Sequence, residues 1–314
     1  MSAAVSRPGR ASGRAAPFRC SDAARERCDV LTGTATHVRG WLVLEDPGPW
    51  GQNAWRDARL PDGLGATMLR RAQAAGIRPL LARRPVGRDG STVPRRRRVF
   101  VAYTRPGSVS MVTTTLSDPA EVLDIDLGAL AAGVLPEWTT TTEPFLGVCT
   151  HGRHDACCAI RGRPTAHRLA EVEPDCTWEV SHIGGDRFAA NLLVLPAGLY
   201  FGQLDAESVT GVVVDYRAGV LDLEHFRGRS GWPMVVQVAE AALRRETGYD
   251  LRRGITLRHS EVRGDGRLVT FGLEGHLWAV EVDRAEEPPA QLTCTAARSE
   301  SPITWRASRA TRLP

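Results

Sequence analysis

A chain of 314 residues, 42% apolar and 24% charged, exceeds one average domain and can bury a sizeable core. Its formal net charge of +4 rests on forty basic residues that are all arginine. That bias fits a codon-biased genome better than nucleic-acid binding, and the lack of lysine excludes a P-loop lysine and a pyridoxal-phosphate Schiff base.

Residues 1–19 read as a disordered tail whose Arg-, Ala- and Ser-rich start lacks the apolar core of a secretory signal. No run approaches the roughly eighteen apolar residues of a membrane span, so a cytoplasmic protein without a membrane segment is expected. An α/β domain is expected over 20–140. It holds a strand at Gly40–Glu45, a helix within Pro61–Ala75 closed by Gly76, and strands at Arg78–Ala82, Val99–Tyr103 and Val109–Thr115. The run Arg95–Arg98 abuts one of those strands without interleaved aromatics, which reads as a solvated flank and not a nucleic-acid contact. A second domain, 141–249, opens with the short strand Phe145–Val148. A helix follows from Asp155 to about Glu171, with Pro164 inside it, then a strand at Thr177–His182. Leu192–Leu195 and Leu199–Leu204 pair across Pro196-Ala197-Gly198, ahead of helices at Glu207–Arg217 and Pro233–Thr247. Residues 250–314 alternate as a β extension, with strands at Ile255–Val262, Leu268–Leu273, His276–Val282 and Gln291–Ala296.

Seven cysteines stand at 20, 28, 149, 157, 158, 176 and 294. In a reducing compartment they are not a disulfide framework, and three of them crowd into Cys149-Thr150-His151-Gly152-Arg153-His154-Asp155-Ala156-Cys157-Cys158. Further on comes Ser181-His182-Ile183-Gly184-Gly185-Asp186-Arg187-Phe188. An iron–sulfur cluster needs thiolates or neutral imidazoles, and two ligands on a strand–loop–helix turn with two on a later loop would surround one. Gly184 and Gly185 would let backbone approach the inorganic sulfides and offer N–H donors. Cys20, Cys28 and Cys294 read as small buried hydrophobes, and His151 and His154 as loop or helix-start residues. Asp186 has a plain alternative as an ion-pair partner of Arg187 or Arg153. Arg227 and Arg229 either steer an acidic partner or cap a loop.

The blocks Val148-Cys149-Thr150-His151-Gly152, Cys157-Cys158, Ser181–Gly185 and Leu195–Gly202 resemble the sucrase/ferredoxin-like family, as do Gly33-Thr34-Ala35 and Glu45–Gly51. The resemblance covers roughly residues 20 to 247. It implies an α/β (α+β) chain: a thioredoxin-like ferredoxin domain, preceded by a related α/β half and followed by the small antiparallel extension. It also implies a [2Fe–2S] cluster held by cysteines spaced C-x8-C and histidines spaced H-x3-H. Mapped here, these are Cys149, Cys158 and His182, with Asp186 where the second histidine would stand. Carboxylate is a harder ligand than imidazole, so Cys157, or more weakly Cys176, competes for the fourth place. Two fused halves would replace a homodimer, so a monomer is expected, exchanging electrons with a redox protein or small donor.

Three other chemistries compete. Thiol–disulfide exchange normally uses C-x-x-C, which is missing. A structural zinc site would draw on Cys149, Cys157 or Cys158 with His151 or His182, without the common C-x2-C knuckles. Sucrose hydrolysis needs two carboxylates facing each other across the bond, and Glu45, Asp46, Asp205 and Glu207 are commonplace loop acids.

Overall fold

A computed structural model describes residues 17–85 and 96–314. Most of the tail expected at 1–19, and Arg95 of the arginine run, lie outside the described residues. The first part carries α1 (Cys20–Glu26), β1 (Gly40–Glu45), α2 (Ala54–Asp57), α3 (Leu64–Ala75), β2 (Ile77–Arg83), β3 (Arg97–Tyr103) and β4 (Ser110–Leu116). A 3-10 turn at Pro119–Asp124, α4 (Leu127–Ala131) and β5 (Thr139–Thr140) complete it. The second part carries β6 (Phe145–Cys149), α5 (Ala156–Val172), β7 (Thr177–Val180), β8 (Leu192–Leu195), β9 (Leu199–Phe201), α6 (Ser208–Ala218), β10 (Phe226–Arg229) and α7 (Met234–Thr247).

Ten strands form one sheet in the order β10-β9-β8-β6-β7-β2-β1-β3-β4-β5. Its halves repeat one topology: the first strand pairs parallel with the second (β1 with β2, β6 with β7) and antiparallel with the third, and the fourth and fifth follow antiparallel. The halves meet where β2 and β7 pair antiparallel through Ala82–Val180 and Arg83–Glu179. The expected relation between the halves thus takes the form of a shared strand order.

Period-two alternation sets the layers. In β1, Leu42 and Leu44 join the first half's own core around Met68 and Leu81, whereas Trp41 and Val43 face the other side. In β6, Leu146 and Val148 pack with Leu169 and Val212, whereas Phe145 and Cys149 join Trp41, Trp178, Tyr200 and Cys158 in a core spanning both halves. Each large apolar side chain buried there contributes about 1.5–3 kcal/mol.

A second, five-stranded sheet follows: β11 (Thr256–Arg263), β12 (Gly266–Leu273), β13 (His276–Glu286), β14 (Ile303–Ala307) and β15 (Thr311–Arg312). Val238, Ala239 and Leu243 of α7 pack against Val269, Phe271, Val280 and Val282 of this sheet. Below them Glu240, fully buried, pairs with Arg229 of β10 (2.9 Å) and Arg244 (2.8 Å). The strand expected at Gln291–Ala296 does not form. The chain from 287 to 302 makes an excursion closed at its neck by Ala290 pairing with Glu300, and Gln291 donates to the carbonyls of Thr293 and Cys294 inside it. Those local bonds satisfy groups that a ladder would have used. No helix among the described residues is long and apolar enough to cross a membrane.

Candidate metal centre

Cys149 ends β6, and its N–H donates to the Asn191 carbonyl (2.9 Å). The chain then turns through residues 150–155 into α5, where Asp155 is the N-cap and accepts from the Cys157 N–H (2.8 Å). That start places Cys158 opposite Cys149. The next strand, β7, stops at Val180, and His182 swings in from the loop behind it. Donor atoms of Cys149, Cys158 and His182 lie within 4.8 Å of one another, as do those of His154, His182 and Asp186.

Asp186 joins the two groups. Its Oδ1 accepts from the Cys158 thiol (3.1 Å) and sits 2.9 Å from His182 Nδ1, with Oδ2 3.7 Å from His154 Nε2. The His182 pair is ionic, not hydrogen-bonded: Nδ1 is buried and has no hydrogen-bond partner. A buried nitrogen left without a hydrogen bond, among two thiols and a carboxylate, fits a metal-ligand set better than a settled polar network. Both thiols and Asp186 are buried, while the His182 side chain is 23% exposed and His154, stacked on it at 3.7 Å, 37%. The histidine edge is therefore the opening.

The His182–Asp186 loop is braced from several directions. Gly184 and Gly185 take left-handed conformations (φ +97° and +81°), and a Cβ on Gly185 would lie 2.3 Å from the Arg227 guanidinium. A β-bulge between Phe226 and Gly228 turns Arg227 inward. There it donates to the Gly184 carbonyl (2.9 Å), Asn191 Oδ1 (2.7 Å) and Thr34 (2.7 and 3.0 Å). Burial pushes its pKa down to about 10. From the first half, Arg78 donates to the His182 carbonyl (3.0 Å), and the Ser181 N–H donates to the Leu81 carbonyl (2.9 Å). His151 completes the brace: Nε2 donates to the Gly51 carbonyl (2.7 Å), Nδ1 accepts from the His182 N–H (3.3 Å), and Trp50 packs edge-on against its ring. Burial lowers the His151 pKa, in keeping with that neutral tautomer.

The charges interlock. The contact with Cys158, aided by His182, holds the Cys149 thiol well below its usual value despite burial. That same contact, burial and Asp186 push Cys158 well above its own. Burial alone would lower His182, but Asp186 and Cys149 override it and raise the imidazole to about 9. Burial works against the Asp186 carboxylate, and His182 still holds it below the usual range.

The geometry brings Cys149, Cys158, His182 and Asp186 together and removes two competitors. The Cys157 sulfur points away, to Cys294 (3.3 Å), because neighbours at a helix start diverge by about 100°. Cys176 lies at the start of β7, against Glu143 and Arg217, with burial as the main cause of a pKa raised to about 11. Asp186 pairs with histidines, not with Arg187, which meets Asp29 (3.1 Å), or Arg153. Arg227 and Arg229 are buried and face inward, so neither steers a partner. His151 as a brace, and His154 at the rim, were not legible in sequence; only their place between the two cysteines hinted at it.

A sucrase/ferredoxin-like family model matches residues 31–228, well over half the chain. The protein belongs to the sucrase/ferredoxin-like family. Among curated proteins it is similar to altered inheritance of mitochondria protein 32 of Candida glabrata, 31% identical over 101 residues. That match covers 27% of this chain and 32% of the relative, so the chain spans about a third of the curated protein it matches. No solved structure matches.

Proposed function

We propose that this protein is a one-electron carrier whose [2Fe–2S] cluster is held by Cys149, Cys158, His182 and Asp186. The observation that carries the reading is the convergence of two buried thiols, an imidazole nitrogen without a hydrogen bond and a buried carboxylate, with the histidines as the exposed edge of the group. When bound, such a cluster supplies one-electron transfer at a potential raised by imidazole ligation above that of all-thiolate ferredoxins. Cys149 and Cys158 supply the soft donors. His182, the most exposed of the four, offers the edge for a redox protein or small donor and can take up a proton as an electron arrives. Asp186 keeps the spacing of the family's second histidine and touches both loops. Gly184 and Gly185, in the loop held by Arg227, would let backbone N–H groups approach the cluster. Seven free thiols suit the reducing cytoplasm, where we place the protein, acting as a monomer.

The test is iron and acid-labile sulfide on anaerobically purified protein, with about two of each expected per chain. Cys158→Ser is expected to lose both, and Asp186→His to give a more histidine-like EPR spectrum. Zinc at Cys149 and Cys158 in place of iron, even after reconstitution, contradicts the reading. A colourless protein that cycles a Cys149–Cys158 disulfide supports thiol exchange instead. If His154→Ala loses the cluster and Asp186→Ala keeps it, the fourth ligand moves to His154.

A further inference from the structure

Cys20, Cys157, Cys294 and Asp155 also converge, on the opposite side of the α5 start from Cys158. They come from the first residue of α1, the N-cap and first turn of α5, and the excursion between β13 and β14. Cys20 and Cys294 are 274 residues apart in sequence, which hid the group from any reading of spacing. We propose that these four residues form a second metal site, taking one tetrahedral, thiolate-preferring divalent cation, zinc foremost, which ties α1 and the excursion between β13 and β14 to the start of α5.

Distances carry the inference. The Cys294 sulfur lies 3.3 Å from Cys157 and 3.6 Å from Cys20, and the Cys20 sulfur lies 3.6 and 3.7 Å from the Asp155 oxygens. Tetrahedral zinc, with Zn–S near 2.3 Å and Zn–O near 2.0 Å, needs sulfur–sulfur edges of about 3.8 Å and sulfur–oxygen edges of about 3.5 Å. Those contacts lie within about half an ångström of these edges, and all four donor atoms lie within 4.8 Å of one another. Cys20, Cys157 and Asp155 are buried and Cys294 is half-buried. Packing explains the buried cysteines and capping of α5 explains the position of Asp155, yet the Asp155 carboxylate is buried among three thiols with no ion-pair partner among the described residues. Its oxygens are aimed by the N–H groups of Cys157 (2.8 Å) and Cys294 (2.7 Å), leaving lone pairs for a cation. The N-terminus of the seventeen-residue α5 favours thiolate at Cys157. As the hydrated ion enters, it gives up bound waters for the three sulfurs and one carboxylate oxygen, and each cysteine still protonated releases its proton to solvent, with no change of oxidation state. The vicinal pair Cys157-Cys158 then serves two centres, one sulfur to each.

The site does not depend on the cluster reading, and the test separates them. Full-length protein purified anaerobically is analysed for metals and by zinc-edge X-ray absorption. About one zinc per chain is expected, beside any iron, with three sulfurs near 2.3 Å and one oxygen. Cys294→Ser is expected to reduce zinc to traces and lower the Tm while leaving iron intact, and Cys158→Ser to remove iron while leaving zinc. Should Cys294→Ser fail to fold, the absorption spectrum of the native protein decides alone. The proposal is overturned by three results: no zinc after reduction and incubation with zinc, a Cys157–Cys294 disulfide in the anaerobic protein, or zinc that follows Cys158 instead of Cys294.

Discussion

The two five-stranded halves share a strand order and diverge immediately beyond the first strand of each. β6 ends at Cys149, and the turn beyond it sets Cys158 on α5. After β1 come Asp46, paired with Arg97 (3.4 Å), and a Pro- and Trp-containing loop with no thiol. That loop does not idle: Trp50 and Gly51 hold His151, and Arg78 and Leu81 of β2 hold the His182 loop. One half presents the donors of the Cys149 centre and its counterpart holds them still, which is why a half without those ligands has a role.

Four substitutions break or sharpen that division. The largest effect is expected from Trp50→Ala in the half without donors: about 3–5 kcal/mol of stability lost, with faster iron release although every donor remains. Urea unfolding and the decay of visible absorbance measure both, and unchanged iron retention would refute the brace. Glu240→Gln leaves two buried guanidiniums without a carboxylate and is expected to cost a comparable ~3–5 kcal/mol. The Glu240 carboxyl is burdened by burial, yet Arg229 and Arg244 hold it below its ordinary value. Its contribution is thus present above the unfolded value near pH 4.3 and lost as pH falls through the lower folded one. Wild-type stability should fall in that acid window and the Gln variant's should fall less; parallel curves would contradict the assignment. Gly185→Ala adds a Cβ against Arg227 at a left-handed φ, and about 1–3 kcal/mol with a changed EPR line shape is expected. Arg78→Ala removes one hydrogen bond from β2 to the His182 carbonyl, for about 0.5–1.5 kcal/mol by urea unfolding.

The alternating strands and the Gly76 helix stop were legible because local patterning governs them. β10 was not: Phe226-Arg227-Gly228-Arg229 reads as a polar loop, and only a bulge and buried partners for both arginines make it a strand. In the site, the crowding of three cysteines into 149–158 was legible locally, and the resemblance to the family singled out Cys149, Cys158 and His182. The choice between Cys157 and Cys158 needed helix phase, and the roles of Trp50, Arg78 and Arg227 needed long-range contacts that no local spacing encodes. Cys20 and Cys294 read as core residues because each is alone in its own segment.

The central claim is met most directly by low-temperature EPR of the dithionite-reduced protein, with nitrogen couplings resolved by pulsed methods in protein labelled with 15N-histidine. The account expects a single spin-half signal bearing one strongly coupled histidine nitrogen, lost on His182→Ala. Two such nitrogens would contradict the place given to Asp186, and no paramagnetic cluster after reconstitution would contradict the electron-carrier reading itself.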